Sequence, residues 1–259
     1  MKQRTRDGLV YYQFEMWNTL KHGVFTRKGG VSAEPFASLN LGGNVGDDPK
    51  AVRCNHERMY ATLDIDDRRV CSVWQVHGTD VVMANTPVPG RRWLAQADAL
   101  MTDRADIVLS MRFADCTPIL FHDPVKGVIA MAHAGWRGTV QGMAAKTVQA
   151  MIRSYGSRPE DIQAAIGPSI GPNRYQVGEE VVDAVREHFG TTLGLVQRDP
   201  ADGTAYFDLW AANKLDLERA GVEQVEIAGI CTAENTEEFF SHRAEKGRTG
   251  RFGAVLSLS

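Results

Sequence analysis

Two apolar, strand-like runs, residues 119–122 and 128–133, stand on either side of Asp123-Pro124 and Lys126-Gly127. Proline and glycine placed this way between β-type runs make a strand–turn–strand connection. Strands joined by so short a link cannot both be parallel members of one sheet, since a parallel pair needs a crossover of about a dozen residues. A doubly wound, all-parallel sheet is therefore excluded. Further β-type runs at 70–76, 107–113, 162–166 and 225–230 predict a mixed sheet.

Four helix signals lie between and around these runs. Asp48-Pro49 sets a capping side chain before a proline, and Val52, His56, Met59, Tyr60 and Leu63 follow at helical spacing. After Thr139, the residues Val140, Met143, Ala144, Met151, Ile152 and Tyr155 share one apolar face, and Gly156 supplies the stop. Val181, Val182, Val185 and Phe189 predict a third helix ending at Gly190, and Asp208 a fourth running to Gly221. The pattern predicts helices outside a mixed sheet. With 259 residues and no visible repeat or linker, a single domain over 1–259 is expected.

Composition narrows the function classes. Twenty-nine Lys+Arg against 32 Asp+Glu leave a net charge of −3, without the basic excess of a protein that binds nucleic acid electrostatically. A small-molecule substrate is expected instead. No run approaches the roughly 18 apolar residues of a membrane span, and the first residues lack the apolar core of a signal peptide. Cys54, Cys71, Cys116 and Cys231 are too dispersed for a disulfide framework or a paired-cysteine metal clip. A cytoplasmic location is expected.

Three stretches set reactive side chains among glycines at strand ends, where a rigid scaffold presents loops to solvent. They are Gln75-Val76-His77-Gly78, Ala114-Asp115-Cys116-Thr117-Pro118 and Ala132-His133-Ala134-Gly135-Trp136-Arg137-Gly138. Cys116 lies 39 residues after His77 and 17 before His133, so only the tertiary fold can bring them together. Two imidazoles and a thiolate suit Zn²⁺ and leave its fourth tetrahedral position open. Copper also accepts this set. The same residues could instead make Cys116 a nucleophile with a histidine base. The bland alternative is a buried cysteine beside two hydrogen-bonded histidines.

QVHGTDV, ADALMT, ADCTPILF, AHAGWRGT, AAIGPSIGP, FDLWAANKLDL and CTAENTEEFFSHRAEKGRTGR occur in that order. This series resembles the YfiH/laccase-domain family, over nearly the whole chain from His22 to Arg251. The resemblance implies an α/β (α+β) fold, a four-layer α/β/β/α sandwich with mixed sheets, related to a cytotoxic-factor deamidase. It implies a metal site of His77, Cys116 and His133, with Zn²⁺ expected and Cu²⁺ an alternative. It implies phosphorolysis of adenosine, inosine and methylthioadenosine, and deamination of adenosine, so purine nucleoside and phosphate would be the partners. A cysteine-type amide hydrolase editing peptidoglycan precursors and a single-site copper phenol oxidase are the alternatives. Seven histidines fall short of the about ten that several copper centres would require.

Within the matched motifs, Arg27, Arg137, Arg243 and Arg251 are candidate phosphate contacts, because guanidinium forks suit phosphate oxygens. Arg137, four residues after His133, is the foremost. Each has a salt-bridge alternative. Asn40 is a candidate substrate contact or a turn organiser. Asp115 could orient a ligand histidine or cap a strand end. Trp136 could stack on a purine or pack in the core. Residues 167–172, GPSIGP, lack the lysine and spacing of a phosphate loop. The run Ser241-His242-Arg243-Ala244 departs from the family pattern, which carries a tyrosine and two consecutive arginines there. His242 then reads as a substituted rim residue, with a fourth metal-side imidazole the alternative.

Overall fold

The structure, a computed structural model, describes residues 1–88 and 92–258. One six-stranded sheet contains β1 (Lys2–Arg6), β2 (Leu9–Gln13), β3 (Lys21–Phe25), β4 (Val70–Cys71), β7 (Val108–Phe113) and β15 (Phe252–Ser257). Its order is β1-β2-β3-β15-β7-β4. The second contains β5 (Val81–Met83), β6 (Ala99–Thr102), β8 (Thr117–Asp123), β9 (Val128–Ala134), β10 (Gln163–Ile166) and β14 (Gln224–Ile227). Its order is β14-β10-β8-β9-β6-β5. A small sheet of β11 (Gln176–Val177), β12 (Val196–Arg198) and β13 (Ala205–Phe207) stands apart.

β8 and β9 pair antiparallel from Thr117↔Ala134 to Asp123↔Val128, as their short turn requires. Parallel pairs β4–β7, β5–β6 and β10–β14 make both large sheets mixed. The period-2 alternation of each strand then builds the layers. Ile129 and Met131 of β9 and Leu120 of β8 face Val24, Met111 and Ala254 of the first sheet in a core between the sheets. Ala130, Ala132, Ile119 and Phe121 face the other way, onto helices α3 (Met143–Tyr155) and α5 (Leu209–Arg219). The outer face of the first sheet takes Met59, Tyr60 and Leu63 from the region of α1 (Pro49–Thr62). The layers are therefore α/β/β/α.

Local signals explain the helix ends. Asp48 and Asp208 cap α1 and α5 by accepting the amides of Lys50, and of Trp210 and Ala211. Gly190, at φ 72°, ends α4 (Glu179–Phe189). The apolar face expected to begin at Val140 starts instead at Met143. Gly142, at φ 75°, separates α3 from the single-turn helix α2 (Trp136–Thr139). The run 70–76 is a strand only at Val70–Cys71, because its later residues are bent toward a buried carboxylate described below. The run 225–230 stops at Ile227 before Gly229, at φ 64°.

Strands β1–β3, β5, β6, β11–β13 and β15 escaped the strand reading of the sequence. β1 is polar and fully exposed, so no alternation marks it. Its turn was nonetheless written in Asp7-Gly8, where φ values of 54° and 80° make the left-handed pair that closes a two-residue hairpin.

The inter-sheet core carries the fold's stability. Leu109, fully buried there, should cost about 2–5 kcal/mol on replacement by alanine. Leu193→Ala, at a side chain 88% exposed, should stay within about 0.5 kcal/mol of the parent. Urea denaturation of the two variants checks the contrast.

Candidate active site

His133 continues the inward-facing series of β9 after Ile129 and Met131, and Cys116 stands just before β8 on the same side as Leu120. Both therefore meet at the end of the inter-sheet core, where Phe113 lies 5.7 Å from the His133 ring. His77 arrives from the loop after β4 with its backbone at φ 61°, a left-handed conformation uncommon outside glycine. The ligand-capable atoms of His77, Cys116 and His133 lie within 4.8 Å of one another. The fold thus unites the trio that sequence spacing left apart.

The His77 turn is held by Asp98, a fully buried residue immediately before β6. The Asp98 carboxylate accepts the amides of Val76 (3.2 Å), His77 (3.0 Å) and Gly78 (2.6 Å). It also accepts from His133 Nδ1 at 2.8 Å, while the His133 amide donates to the Asp98 carbonyl at 2.7 Å. Burial pushes the Asp98 carboxyl up, but the His133 hydrogen bond and the backbone donors outweigh it and hold the group ionised. With Nδ1 so engaged, His133 is left Nε2 for the cluster.

Cys116 is drawn toward its thiolate. Burial opposes ionisation, yet His133 and His77 bring the thiol down to about 6. His133 responds in the opposite sense: burial lowers it, while Cys116 and Asp98 push it up to about 9. Gly135 makes this approach sterically feasible, because a Cβ there would sit 2.8 Å from the Cys116 sulfur.

Asp115 does not orient a ligand histidine. Its backbone is left-handed, at φ 82°, and its carboxylate accepts from Thr232 Oγ1 (2.7 Å) and the Arg243 amide (2.6 Å). It thereby ties the cysteine loop to the C-terminal segment. The orienting position belongs to Asp98, within the ADALMT motif. Its sequence signal was a lone carboxylate abutting an apolar strand.

The trio opens into a cavity of ≈ 600 Å³ whose walls also carry Tyr175, His242, Arg243 and Arg251. Arg243 donates through Nη1 to the Gln176 carbonyl at 2.8 Å, and its guanidinium lies 5.1 Å from the Tyr175 ring. Arg251 is anchored by the carbonyls of Thr249 and Gly250. Burial draws the Arg251 guanidinium down, while the Cys116 and Asp115 charges favour its cation. Burial and the same two negative charges push the Tyr175 phenol up, so it remains a hydrogen-bond donor. Sequence reasoning passed over Tyr175, which sits in no reactive motif.

Other candidates lie elsewhere. Arg27 donates to the carbonyls of Ala37 and Thr236 and pairs with Glu245 at 3.0 Å, with Phe240 beneath its guanidinium. Asn40 is fully buried, its amide bonded to Gly42, Asp47 and Arg251, which is the turn-organising alternative. Trp136 packs half-buried against the α4–α5 cluster, with Arg137 stacked on it at 4.6 Å. Arg137 itself is exposed and within electrostatic reach of Tyr175. In the GPSIGP loop, the Ser169 hydroxyl is engaged by Thr117 and Trp210.

Comparison with known proteins places this geometry. The family model described as Multi-copper polyphenol oxidoreductase laccase matches residues 21–259. A purine nucleoside phosphorylase of Deinococcus radiodurans is 41% identical over 237 residues, covering 92% of this chain and 88% of its own. Purine nucleoside phosphorylase YlmD of Geobacillus stearothermophilus is 39% identical over 248 residues, covering 90% and 88%. The crystal structure of YlmD from that organism superposes with a TM-score of 0.90 at 36% identity, covering 99% and 98%. That of Bacillus licheniformis hypothetical protein YfiH does so at 0.89 and 34%, covering 99% of each.

Asp98→Asn keeps the size of the side chain but sets an NH₂ group among four donors. Loss of such a histidine-orienting partner costs about 10–100-fold in metal affinity. That loss is expected in a Zn²⁺ titration against a chromophoric chelator, and an unchanged affinity would refute the orienting role.

Proposed function

The chain belongs to the multi-copper polyphenol oxidoreductase laccase family, and from that membership we propose that it is a zinc-dependent purine nucleoside phosphorylase. The carrying observation is the His77–Cys116–His133 cluster opening into a cavity with a cationic wall. The names of the relatives at 34–41% identity support the substrate class.

The donor set fits zinc. One thiolate and two imidazoles provide three protein ligands, and Asp98 buttresses one imidazole in the manner common to such sites. Zinc held by these three residues would supply Lewis-acid polarisation of a substrate or water oxygen. Cu²⁺ competes for the same donors. Among the described residues, this trio is the one His/Cys/carboxylate cluster with ligand geometry, so a multi-copper arrangement finds no further ligand sets.

In phosphorolysis, an oxygen of hydrogen phosphate bonds to the anomeric carbon of the sugar as the glycosidic C–N bond breaks, and the departing base gains the proton that the phosphate gives up. Arg243 and Arg251 draw phosphate to the cavity wall, and their guanidinium donors orient its oxygens. Tyr175 adds a neutral hydroxyl donor beside them. Arg137 strengthens the positive field at the outside of this wall. His133, fixed by Asp98, keeps the metal ligands rigid, so little reorganisation is left for the reaction.

Deamination of adenosine is the second reading, favoured by the ligand set that leaves a metal position open for water. It consumes no phosphate, so product analysis separates the two. Adenosine with phosphate should give adenine and ribose 1-phosphate. Inosine formed in phosphate-free buffer would report deamination. His77→Ala, Cys116→Ala and His133→Ala should each lose bound zinc and phosphorolysis together. A substrate adduct on Cys116 in active, metal-free protein, seen by intact mass, would establish the nucleophile reading instead. Arg243→Ala should raise the KM for phosphate about tenfold, the value of one charge-assisted contact, with a smaller change for adenosine.

A further inference from the structure

We propose that Trp74 and Trp93, on the wall of the metal-site cavity, form an aromatic subsite that stacks the planar base of the nucleoside. The proposal rests on the nucleoside reading above and adds the residues that hold the base.

Both indoles line the cavity, 41% and 39% exposed, with ring centroids 5.7 Å apart and planes at 75°. Trp17, Trp136 and Trp210 are instead buried or packed against core clusters. Two large aromatic surfaces left open beside one another in a cavity mark a place for an apolar ligand face.

The pair is built into the backbone. The Trp74 amide donates to the Ala95 carbonyl at 2.9 Å, and the Trp74 carbonyl accepts from Ala97 at 3.1 Å. The Leu94 amide donates to Ser72 at 2.8 Å, so the two tryptophan-bearing segments are zipped together. Arg112 fixes one side of the pair: its guanidinium lies 4.3 Å from the Trp93 ring and donates to Ser72 Oγ (2.7 Å) and the Val73 carbonyl (2.9 Å). Side chains held in this way lose little freedom on binding a ligand.

Chemistry selects what the pair receives. Phosphate and ribose have no π-face; the base is the one aromatic part of a nucleoside. The guanidinium groups of Arg243 and Arg251, beside Tyr175 in the same cavity, suit the anion. Gln75, between Trp74 and the His77 turn, has its amide bonded both ways to the Arg112 backbone, at 2.7 and 3.2 Å. It stiffens the wall while the indoles supply the stacking surface. Trp136, the tryptophan nearest His133 in sequence, lies outside the cavity lining.

The test uses the metal-loaded protein with inosine and, separately, ribose 1-phosphate, which lacks the base. Inosine should quench tryptophan emission in the parent. Trp74→Ala and Trp93→Ala should each raise the Kd and KM for inosine about tenfold, as stacking losses do, with kcat changed less than about twofold. Bound metal should be unchanged. Trp74→Phe should retain most of the affinity, whereas Trp74→Leu, of similar apolar character without a ring, should not. Ribose 1-phosphate should bind parent and variants alike. Equal inosine affinity in parent and alanine variants, equal affinity in the Phe and Leu variants, or matching losses for ribose 1-phosphate would overturn the subsite. A parent protein that binds no nucleoside would overturn the nucleoside reading itself.

Discussion

The charged hydrogen bond between Asp98 and His133 governs the geometry of the site. Asp98 is fully buried, and a carboxylate in such a place is costly unless its oxygens are satisfied. Here three consecutive amides, from Val76 to Gly78, and one imidazole satisfy them. The amides can converge because His77 adopts a left-handed backbone, and the hydrogen bonds to Asp98 offset both the strain at His77 and the burial of the carboxylate. One carboxylate therefore aims His133 and shapes the loop carrying His77. The thiolate character of Cys116 follows from those two imidazoles in turn.

This dependence explains which parts of the molecule could be read from its residues. The β8–β9 hairpin and the caps at Asp48 and Asp208 are local devices, and each stands where its own residues put it. The strand-end motifs of the trio were equally plain. Their meeting was not, because it depends on the inward parity of β8 and β9 and on a carboxylate from β6. Asp115, through its adjacency to Cys116, was a candidate orienting acid or strand-end cap. Sequence adjacency is a poor guide at a left-handed residue, and its side chain is turned to Thr232 and Arg243 instead. Arg27 and Asn40 show the converse: motif residues whose polar atoms are committed to holding loops together.

The family's copper-oxidase description and the chemistry of this chain pull apart at the histidines. His22 accepts the Phe14 amide in the core, His56 engages Leu41 and Tyr60, and His188 meets Asp216 between helices. Each of these imidazoles is held by partners other than the trio. Electron transfer among several coppers needs their ligand sets clustered. A single open site in a cavity fits substrate polarisation better.

A net charge of −3 over the whole chain argued for a small-molecule substrate, but it concealed the sign of the site. Arg112, Arg243 and Arg251 converge on one cavity together with three imidazoles, while Asp115 is the single acidic residue among the described residues of its lining. The Asp115 carboxylate is already occupied by Thr232 and Arg243, so its charge is partly spent within the protein. A concave, low-dielectric wall concentrates the field of the remaining cations toward the metal ligands. Such a field favours an anion in the cavity against the sign of the molecule. The indole faces of Trp74 and Trp93, with Arg112 packed against Trp93, offer the cavity an apolar surface that such a field does not select.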